Sequence, residues 1–333
     1  MKAFAFDRYG SASPVRPTDV PTPELRDDDV LVEIHAAGVN PLDAKIKAGE
    51  FKLILPYRLP LVLGNEFAGV VVRTGSRVQR FKPGDAVFAR PAKQRIGTFA
   101  QFIAVAENDL AIKPGNVTME EAASLPLVGL TAWQALVELA ALKKGQKVLI
   151  HAGAGGVGTF AIQLARHLGA VVATTTSTAN VDLVRSLGAD IVVDYTKAAF
   201  EDVVRDCDVV LNSLDAKTLG KSVQVLKPGG KLISISGPPD PAFAKTLGAG
   251  RALEFVMRLL SFRIRRQATR RGVDYAFLFM RADGEQLRQV ASLVEAGVIR
   301  PVVDRVFPFE STAQAIAYVE KGRTRGKVVV KVR

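Results

Sequence analysis

Six residues, Gly153-Ala154-Gly155-Gly156-Val157-Gly158, carry the clearest chemistry in the chain. The apolar run Lys147–His151 leads straight into them, and Thr159–Ala165 follows with helical spacing. A strand, glycine turn and helix in that order can hold a pyrophosphate by main chain alone. The first glycine makes the tight turn, the second lets backbone approach the ligand, and the third lets helix pack on strand. The helix start adds free N–H groups and the positive end of its dipole. The ligand this implies is a dinucleotide. An acid about 20 residues on would hold a free ribose 2′-hydroxyl. Here the segment is Thr174-Thr175-Thr176-Ser177-Thr178-Ala179-Asn180, and the first acid, Asp182, lies inside the next helix. Hydroxyl donors with no carboxylate at that tip favour NADPH over NADH.

The glycine turn needs alternating strands and helices around it, and the residues beyond Thr118 supply them. Thr118-Met119-Glu120-Glu121 is a capping box, and Gly129–Leu142 is helical in pattern. Strands are expected at Lys147–His151, Val171–Thr175, Ile191–Val193, Asp208–Leu211 and Lys231–Ser236. Helices are expected over Gly158–Leu168, Ala179–Leu187, Ala198–Val204 and Lys217–Leu226, and Phe277–Met280 reads as one more strand. Apolar strands alternating with helices form parallel βαβ units, so the fold class is α/β with a doubly wound Rossmann sheet. Before Thr118, short strands such as Val30–His35, Phe67–Arg73 and Ala86–Ala89 are punctuated by Gly and Pro, which gives a β-rich domain. An amphipathic helix over Asp283–Ala296, then Val302–Phe309, a helix near Ser311–Glu320 and Lys327–Val332 close the chain. The last strand is expected to return to the first domain. The division is 1–120 with 283–333 against 121–282.

Bulk properties narrow the class. The 333 residues fit two domains of about 150 each. The single cysteine, Cys207, excludes an internal disulfide and a cysteine-based zinc site. No apolar run approaches the roughly 18 residues of a membrane span, and the start lacks the pattern of a signal peptide. A cytoplasmic location is expected. The formal net charge is +12. Much of it falls on Arg251, Arg258, Arg263, Arg265, Arg266, Arg270 and Arg271, opposed by Glu254 and interleaved with Phe255, Val256, Leu259, Leu260, Phe262 and Ile264. That is an amphipathic basic helix, read as a lid or dimer-edge element with a solvated basic face. The alternative is contact between Arg258–Arg271 and RNA or an anionic surface, which would make the chain an NADPH-responsive binding protein.

Several further motifs run from end to end: Gly38-Val39-Asn40-Pro41-Leu42-Asp43-Ala44-Lys45, Gly64-Asn65-Glu66-Phe67-Ala68-Gly69, Phe81–Val87, Leu125–Ala132 and Gly322–Val330. With the glycine turn they resemble the medium-chain dehydrogenase/reductase superfamily, in its zinc-free quinone oxidoreductase (zeta-crystallin-like) branch. Within that branch the chain is similar to enone oxidoreductases and chloroplast-envelope quinone oxidoreductase-like proteins. The resemblance implies a GroES-like catalytic domain, a Rossmann domain and an active-site cleft between them. Zinc-dependent relatives carry cysteine where Asn40 stands and histidine where Asn65 stands, so no metal site is expected, and Glu66 alone does not make one. Related enoyl-thioester reductases carry a tyrosine where Phe51 stands, which argues against thioester reduction.

The resemblance also assigns site residues. Asn40 and Thr131 seat the nicotinamide end; Leu214, Ser236 and Gly237 line its pocket; Lys327 reaches cofactor or substrate. Ser177, Thr178 and Tyr195 match 2′-phosphate positions, and Asn180 stands where NADPH-using relatives often place lysine. Gly153, Ala154, Gly155, Gly156, Val157 and Gly158 cradle the pyrophosphate. Lys45 is the candidate to polarise a carbonyl oxygen, with Asp43 as a structural residue or its partner. The implied activity is zinc-independent, NADPH-dependent hydride transfer to quinones or to the C=C of α,β-unsaturated carbonyls. The family and the strand Phe277–Met280 suggest an edge-to-edge homodimer.

Overall fold

The computed structural model describes residues 1–52, 55–248 and 250–333. The chain divides into two compact units, Met1–Leu130 with Arg281–Arg333, and Thr131–Met280.

The first unit is β-rich. Its strands, numbered along the chain, are β1 (Lys2–Phe6), β2 (Arg16–Asp19), β3 (Asp29–Val39), β4 (Leu61–Val62), β5 (Glu66–Thr74), β6 (Ala86–Ala89), β7 (Phe102–Ala106) and β8 (Leu110–Ile112). They are joined by helix α1 (Pro41–Ala48) and followed by α2 (Met119–Ala123) and α3 (Pro126–Trp133). The long strand β3 pairs antiparallel with both β5 and β7, and nearly all of its residues are buried. Phe4, Phe6, Ile34, Phe67 and Phe99 fill the core of this unit. The Thr118 capping box forms: Thr118 Oγ1 accepts from the Glu121 N–H, and the Glu121 carboxylate accepts from the Thr118 N–H. The following helix starts at Pro126 rather than Gly129, because proline at a helix start forfeits no intrahelical bond.

The second unit is a six-stranded parallel sheet: β9 (Lys147–Ile150), β10 (Val171–Thr176), β11 (Ile191–Asp194), β12 (Cys207–Asn212), β13 (Leu226–Ser234) and β14 (Asp274–Phe277). Their order is β11-β10-β9-β12-β13-β14, so the sheet grows one way from β9 and then the other from β12. That reversal opens a crevice at the strand carboxyl ends, where doubly wound folds bind ligands. The helices are α4 (Gly156–His167), α5 (Val181–Ser186), α6 (Phe200–Val203), α7 (Ala216–Ser222), α8 (Pro241–Thr246), α9 (Arg251–Leu260) and α10 (Phe262–Thr269).

The last strand of that sheet corrects an expectation. It is Asp274–Phe277, paired with Lys231–Ser234, and Phe277–Met280 overlaps it at one residue. The apolar run pointed to the wrong segment because its rings serve a helix. Phe277 and Phe279 lie 5.1 and 5.8 Å, centroid to centroid, from Phe243 of α8. The Phe277 N–H donates to the Asp240 carboxylate.

The chain then returns to the first unit through α11 (Gly284–Glu295), β15 (Val303–Pro308), α12 (Thr312–Glu320) and β16 (Lys327–Lys331). The final strand pairs antiparallel with β3, its Val328 opposite Val39, which sets Lys327 beside Asn40.

Candidate functional site

In the second unit, β9 ends at Ile150 and α4 begins at Gly156, so the glycine turn connects them directly. Gly155 is the helix N-cap and carries no capping side chain, which leaves the first-turn N–H groups of α4 for a ligand. Gly158 is required by contact: a Cβ there would stand 2.3 Å from the Ala152 carbonyl oxygen and 2.7 Å from the Gly153 Cα. At Gly155 a Cβ would press on the Ala152 oxygen at 3.3 Å, a tight contact without the clash of Gly158, and would otherwise face open space. Ala152, just before the turn, has φ 53° and its N–H donates to Thr175 Oγ1. A non-glycine residue in that left-handed region is uncommon, and no sequence pattern announced it.

At the tip of β10 the structure changes the reading of the 2′-phosphate end. Thr178 Oγ1 donates to the Asp194 carboxylate at 2.5 Å, and Thr196 Oγ1 donates to it at 2.7 Å. These hydroxyls hold Asp194 down to about 2. The expectation that no carboxylate lies near these hydroxyls is therefore corrected. Parallel pairing sets Asp194 of β11 opposite Thr176 of β10, a neighbour that distance along the chain conceals. Asn180 Nδ2 donates to Ser177 Oγ at 3.2 Å, its Oδ1 is buried without a partner, and Tyr195 is exposed. At the carboxyl end of β12, Asn212 Nδ2 donates to the Leu214 oxygen and Asn212 Oδ1 is also unpartnered. Ser236 Oγ donates to the same Leu214 oxygen, and the Gly237 N–H donates to Ser234 Oγ. Thr131 is buried at the start of this unit. An uncapped helix start, a glycine turn with one open face and two buried amide oxygens lacking donors fit a dinucleotide. Asn212 is the residue that sequence reasoning missed.

His151 is buried and hydrogen-bonded through both ring nitrogens. Its Nε2–H donates to Ser222 Oγ at 2.9 Å, because that hydroxyl gives its own proton to the Thr218 oxygen. Its Nδ1 lies 3.2 Å from Thr175 Oγ1, which accepts from the Ala152 N–H and so turns its own proton to the ring. Burial pushes the imidazole down to about 4. Cys207 is fully buried, and desolvation pushes its thiol up to about 12.

In the first unit, a polar cluster is buried around Asn40. Lys327 Nζ donates to Asn40 Oδ1 at 2.5 Å, to Glu66 Oε1 at 2.6 Å and to the Val39 carbonyl at 3.1 Å. Asn40 Nδ2 donates to Glu66 Oε1 at 2.8 Å, and the Leu127 N–H donates to Glu66 Oε2 at 2.7 Å. Gly38 makes room for this carboxylate, since a Cβ there would lie 2.4 Å from Glu66 Oε1. Asp43, wholly buried, accepts from the Asn40 N–H and from Asn65 Nδ2, each at 2.7 Å. Burial raises its carboxyl to about 6, against the opposing pull of the Asn65 and Asn40 hydrogen bonds and of Lys327. Asp43 and Lys45 are not partners. Residues two apart on a helix point to different faces, and Lys45 reaches outward to Glu50 at 3.8 Å with its side chain 40% exposed. Thus Asn40, Glu66 and Lys327 are brought together, Asp43 supports Asn40 from below, and Lys45 stands apart.

Comparison with known proteins places this architecture. Residues 26–115 match the alcohol dehydrogenase GroES-like domain and residues 187–330 the zinc-binding dehydrogenase family. The 2-methylene-furan-3-one reductase of Solanum lycopersicum is 36% identical over 99% of this chain and 79% of its own. The chain belongs to the medium-chain dehydrogenase/reductase superfamily. Another relative, the NADPH-dependent alkenal/one oxidoreductase, chloroplastic, of Arabidopsis thaliana, shows the same identity over the same shares. Among solved structures, the quinone oxidoreductase from Coxiella burnetii superposes with a TM-score of 0.86 at 31% identity, covering 100% of this chain and 99% of its own.

Zinc-binding members of the superfamily raise the question of a metal here, and the donor set answers it. Both oxygens of Glu66 already accept hydrogen bonds, and the Lys327 ammonium brings a positive charge to within 2.6 Å. Asn40 and Asn65 are neutral amides, weak donors to zinc beside thiolate or imidazole. A zinc ion does not fit this medium-chain reductase's cluster. Among the described residues, no group of three or more His, Cys, Asp or Glu side chains is arranged to hold a metal, and no helix is long and apolar enough to cross a membrane.

Proposed function

We propose that the chain is a zinc-independent, NADPH-dependent oxidoreductase that reduces quinones or the C=C of α,β-unsaturated carbonyls. The observation that carries this reading is the glycine turn delivering an uncapped α4 N-terminus at the crevice of the sheet. Its NADPH-dependent and quinone-reducing relatives support it. No finding favours a binding protein in place of an enzyme.

The residues divide the work. Gly153, Ala154, Gly155, Gly156, Val157 and Gly158 bind the pyrophosphate through main-chain N–H groups. Ser177, Thr178, Asn180 and Tyr195 serve the 2′-phosphate, with Thr178 redirecting its proton from Asp194 when it does so. Thr131, Leu214, Ser236 and Gly237 orient the nicotinamide end. NADPH supplies the hydride when bound. Asn40 and Lys327 form with Glu66 a fully paired cluster that fixes residues 40–45 and turns no free charge to solvent. Reduction of an enone builds negative charge on the carbonyl oxygen, which needs a donor. Lys45, once released from Glu50, is the donor assigned to it, and solvent delivers the final proton. A homodimer through the edge strand β14 is part of the same reading, checked by light scattering of the purified chain. So is a cytoplasmic location, although the Arabidopsis relative is chloroplastic by name.

The test is anaerobic NADPH oxidation with quinones, enones and alkenals after chelation. Turnover that survives chelation is expected with at least one class. Folded protein that binds NADPH yet turns over none of them overturns the reading. Lys45→Met is expected to lower kcat about tenfold or more for enones and to spare quinones.

A further inference from the structure

Helix α9 is apolar on two faces, and the fold uses one. Met257 points inward at 1% exposure, followed by Ser261 and then Ile264 and Ala268 of α10. On the other face Phe255, Val256, Leu259 and Leu260 are 59, 47, 59 and 58% exposed, and Phe262 follows at 56%. Positions 255, 256, 259 and 260 fall on one side of a helix. Five large apolar side chains held half in solvent within residues 255–262 form a patch of the kind that marks an interaction surface. Around it, residues 251–271 hold seven arginines against one glutamate. That glutamate, Glu254, is already paired to Arg258 at 3.3 Å.

We infer that α9 and the start of α10 dock the protein on an anionic lipid bilayer, with the apolar face in the acyl boundary and the arginines on the headgroups. An amphipathic helix with a basic polar side and Phe/Leu on the other binds membranes in this way, through buried apolar area plus attraction to anionic lipid. Charge chooses between occupants. A second copy apposed through this face would set the same arginines against each other. Nucleic acid would answer the arginines but leave Val256, Leu259 and Leu260 in water. An anionic bilayer satisfies both. Given the reductase reading, docking would bring the protein to a phase into which apolar quinones partition, but the docking itself does not depend on that reading.

The experiment is co-sedimentation of the full chain with vesicles of phosphatidylcholine alone, and with vesicles in which about a third of the lipid is phosphatidylglycerol. Binding to the anionic vesicles is expected, with little to the neutral ones, and it should weaken in high salt. The Phe255→Ser/Leu259→Ser variant and, separately, Arg263→Gln/Arg266→Gln should each weaken it about tenfold or more. Circular dichroism and the rate with a water-soluble quinone should stay at the wild-type level. Absence of binding to anionic vesicles overturns the inference, as does binding indifferent to salt and to both variants. So does a change of oligomeric state in the apolar variant without vesicle binding, which would assign the patch to a second copy. Retention of an RNA oligonucleotide without vesicle binding overturns it as well. If the apolar variant fails to fold, the arginine variant and the salt dependence still decide. Vesicle binding without acceptor reduction would leave the docking standing and sink the reductase reading.

Discussion

The glycine turn and the Asn40 cluster are built from opposite materials. In the turn, main chain does the work: N–H groups, a helix end and a missing Cβ, all within six consecutive residues. In the cluster, side chains do it: Asn40, Glu66 and Lys327 meet across up to 287 residues of chain and satisfy one another. One offers main-chain N–H groups without a side-chain cap, while the other is internally neutralised. Errors in the first should therefore appear mainly in binding, and errors in the second mainly in stability.

The sharpest way to break that contrast is to unbalance the cluster. Lys327→Met leaves a Glu66 carboxylate that is 0% exposed without its counter-charge. The expected loss is about 3–5 kcal/mol in urea unfolding. Adding Glu66→Gln to the same chain should restore much of it, because the buried charge is then gone. If Lys327→Met unfolds at the wild-type urea concentration, the cluster is not what holds β16 to β3.

Acid titration separates the two units by sign. His151 in the second unit is pushed down to about 4 from an unfolded value near 6.5. Its contribution is complete above pH 6.5 and is lost as pH falls towards 4, by up to about 3 kcal/mol. Asp43 in the first unit is pushed up to about 6 from 3.8. Its contribution is complete below pH 3.8 and is lost as pH rises through 6. Between pH 4 and 6 the slopes oppose, so the wild-type profile should be shallow there. His151→Gln should leave a stability that rises as pH falls across that window. A profile unchanged by that substitution would refute the buried neutral imidazole.

Within the turn, two neighbouring glycines should behave differently. Gly158→Ala drives a Cβ into the Ala152 oxygen and should cost about 1–3 kcal/mol as well as NADPH affinity. Gly155→Ala presses only on the Ala152 oxygen, at 3.3 Å, and should lower the unfolding midpoint much less than Gly158→Ala. It should still weaken NADPH binding about tenfold in a fluorescence titration, because the methyl stands on the open face. Equal effects of the two on stability would mean the turn is not open at Gly155. The smallest expected change is at the 2′-phosphate end. Asp194→Asn removes the charge beside Thr178 and should raise the NADPH-to-NADH preference a few-fold in kcat/KM, with the direction as the criterion.

These regions also differ in how far the chain announced them. The glycine turn was readable because its residues are consecutive and the strand and helix flank them. The loss of zinc ligands at Asn40 and Asn65 was readable position by position. The closed trio of Asn40, Glu66 and Lys327 was not, because β-strand register alone brings Lys327 to Asn40. Asp194 escaped notice for the same reason, since parallel pairing makes it a neighbour of Thr178 while the chain places it a helix and a strand away. The apolar run at Phe277–Met280 misled because burial against Phe243 and burial within a sheet ask for the same residues. Of the two readings of Asp43, a structural residue or a partner of Lys45, helical rotation removes the second.

The one thiol of the chain bears on how it would withstand the acceptors proposed for it. Quinones and enones are electrophiles that alkylate accessible thiolates, and a catalyst handling them risks modification with every turnover. Cys207 is fully buried and burial pushes its thiol up to about 12, so it offers such compounds no accessible thiolate. A chain of 333 residues with no reactive sulfhydryl is suited to reducing soft electrophiles without being consumed by them.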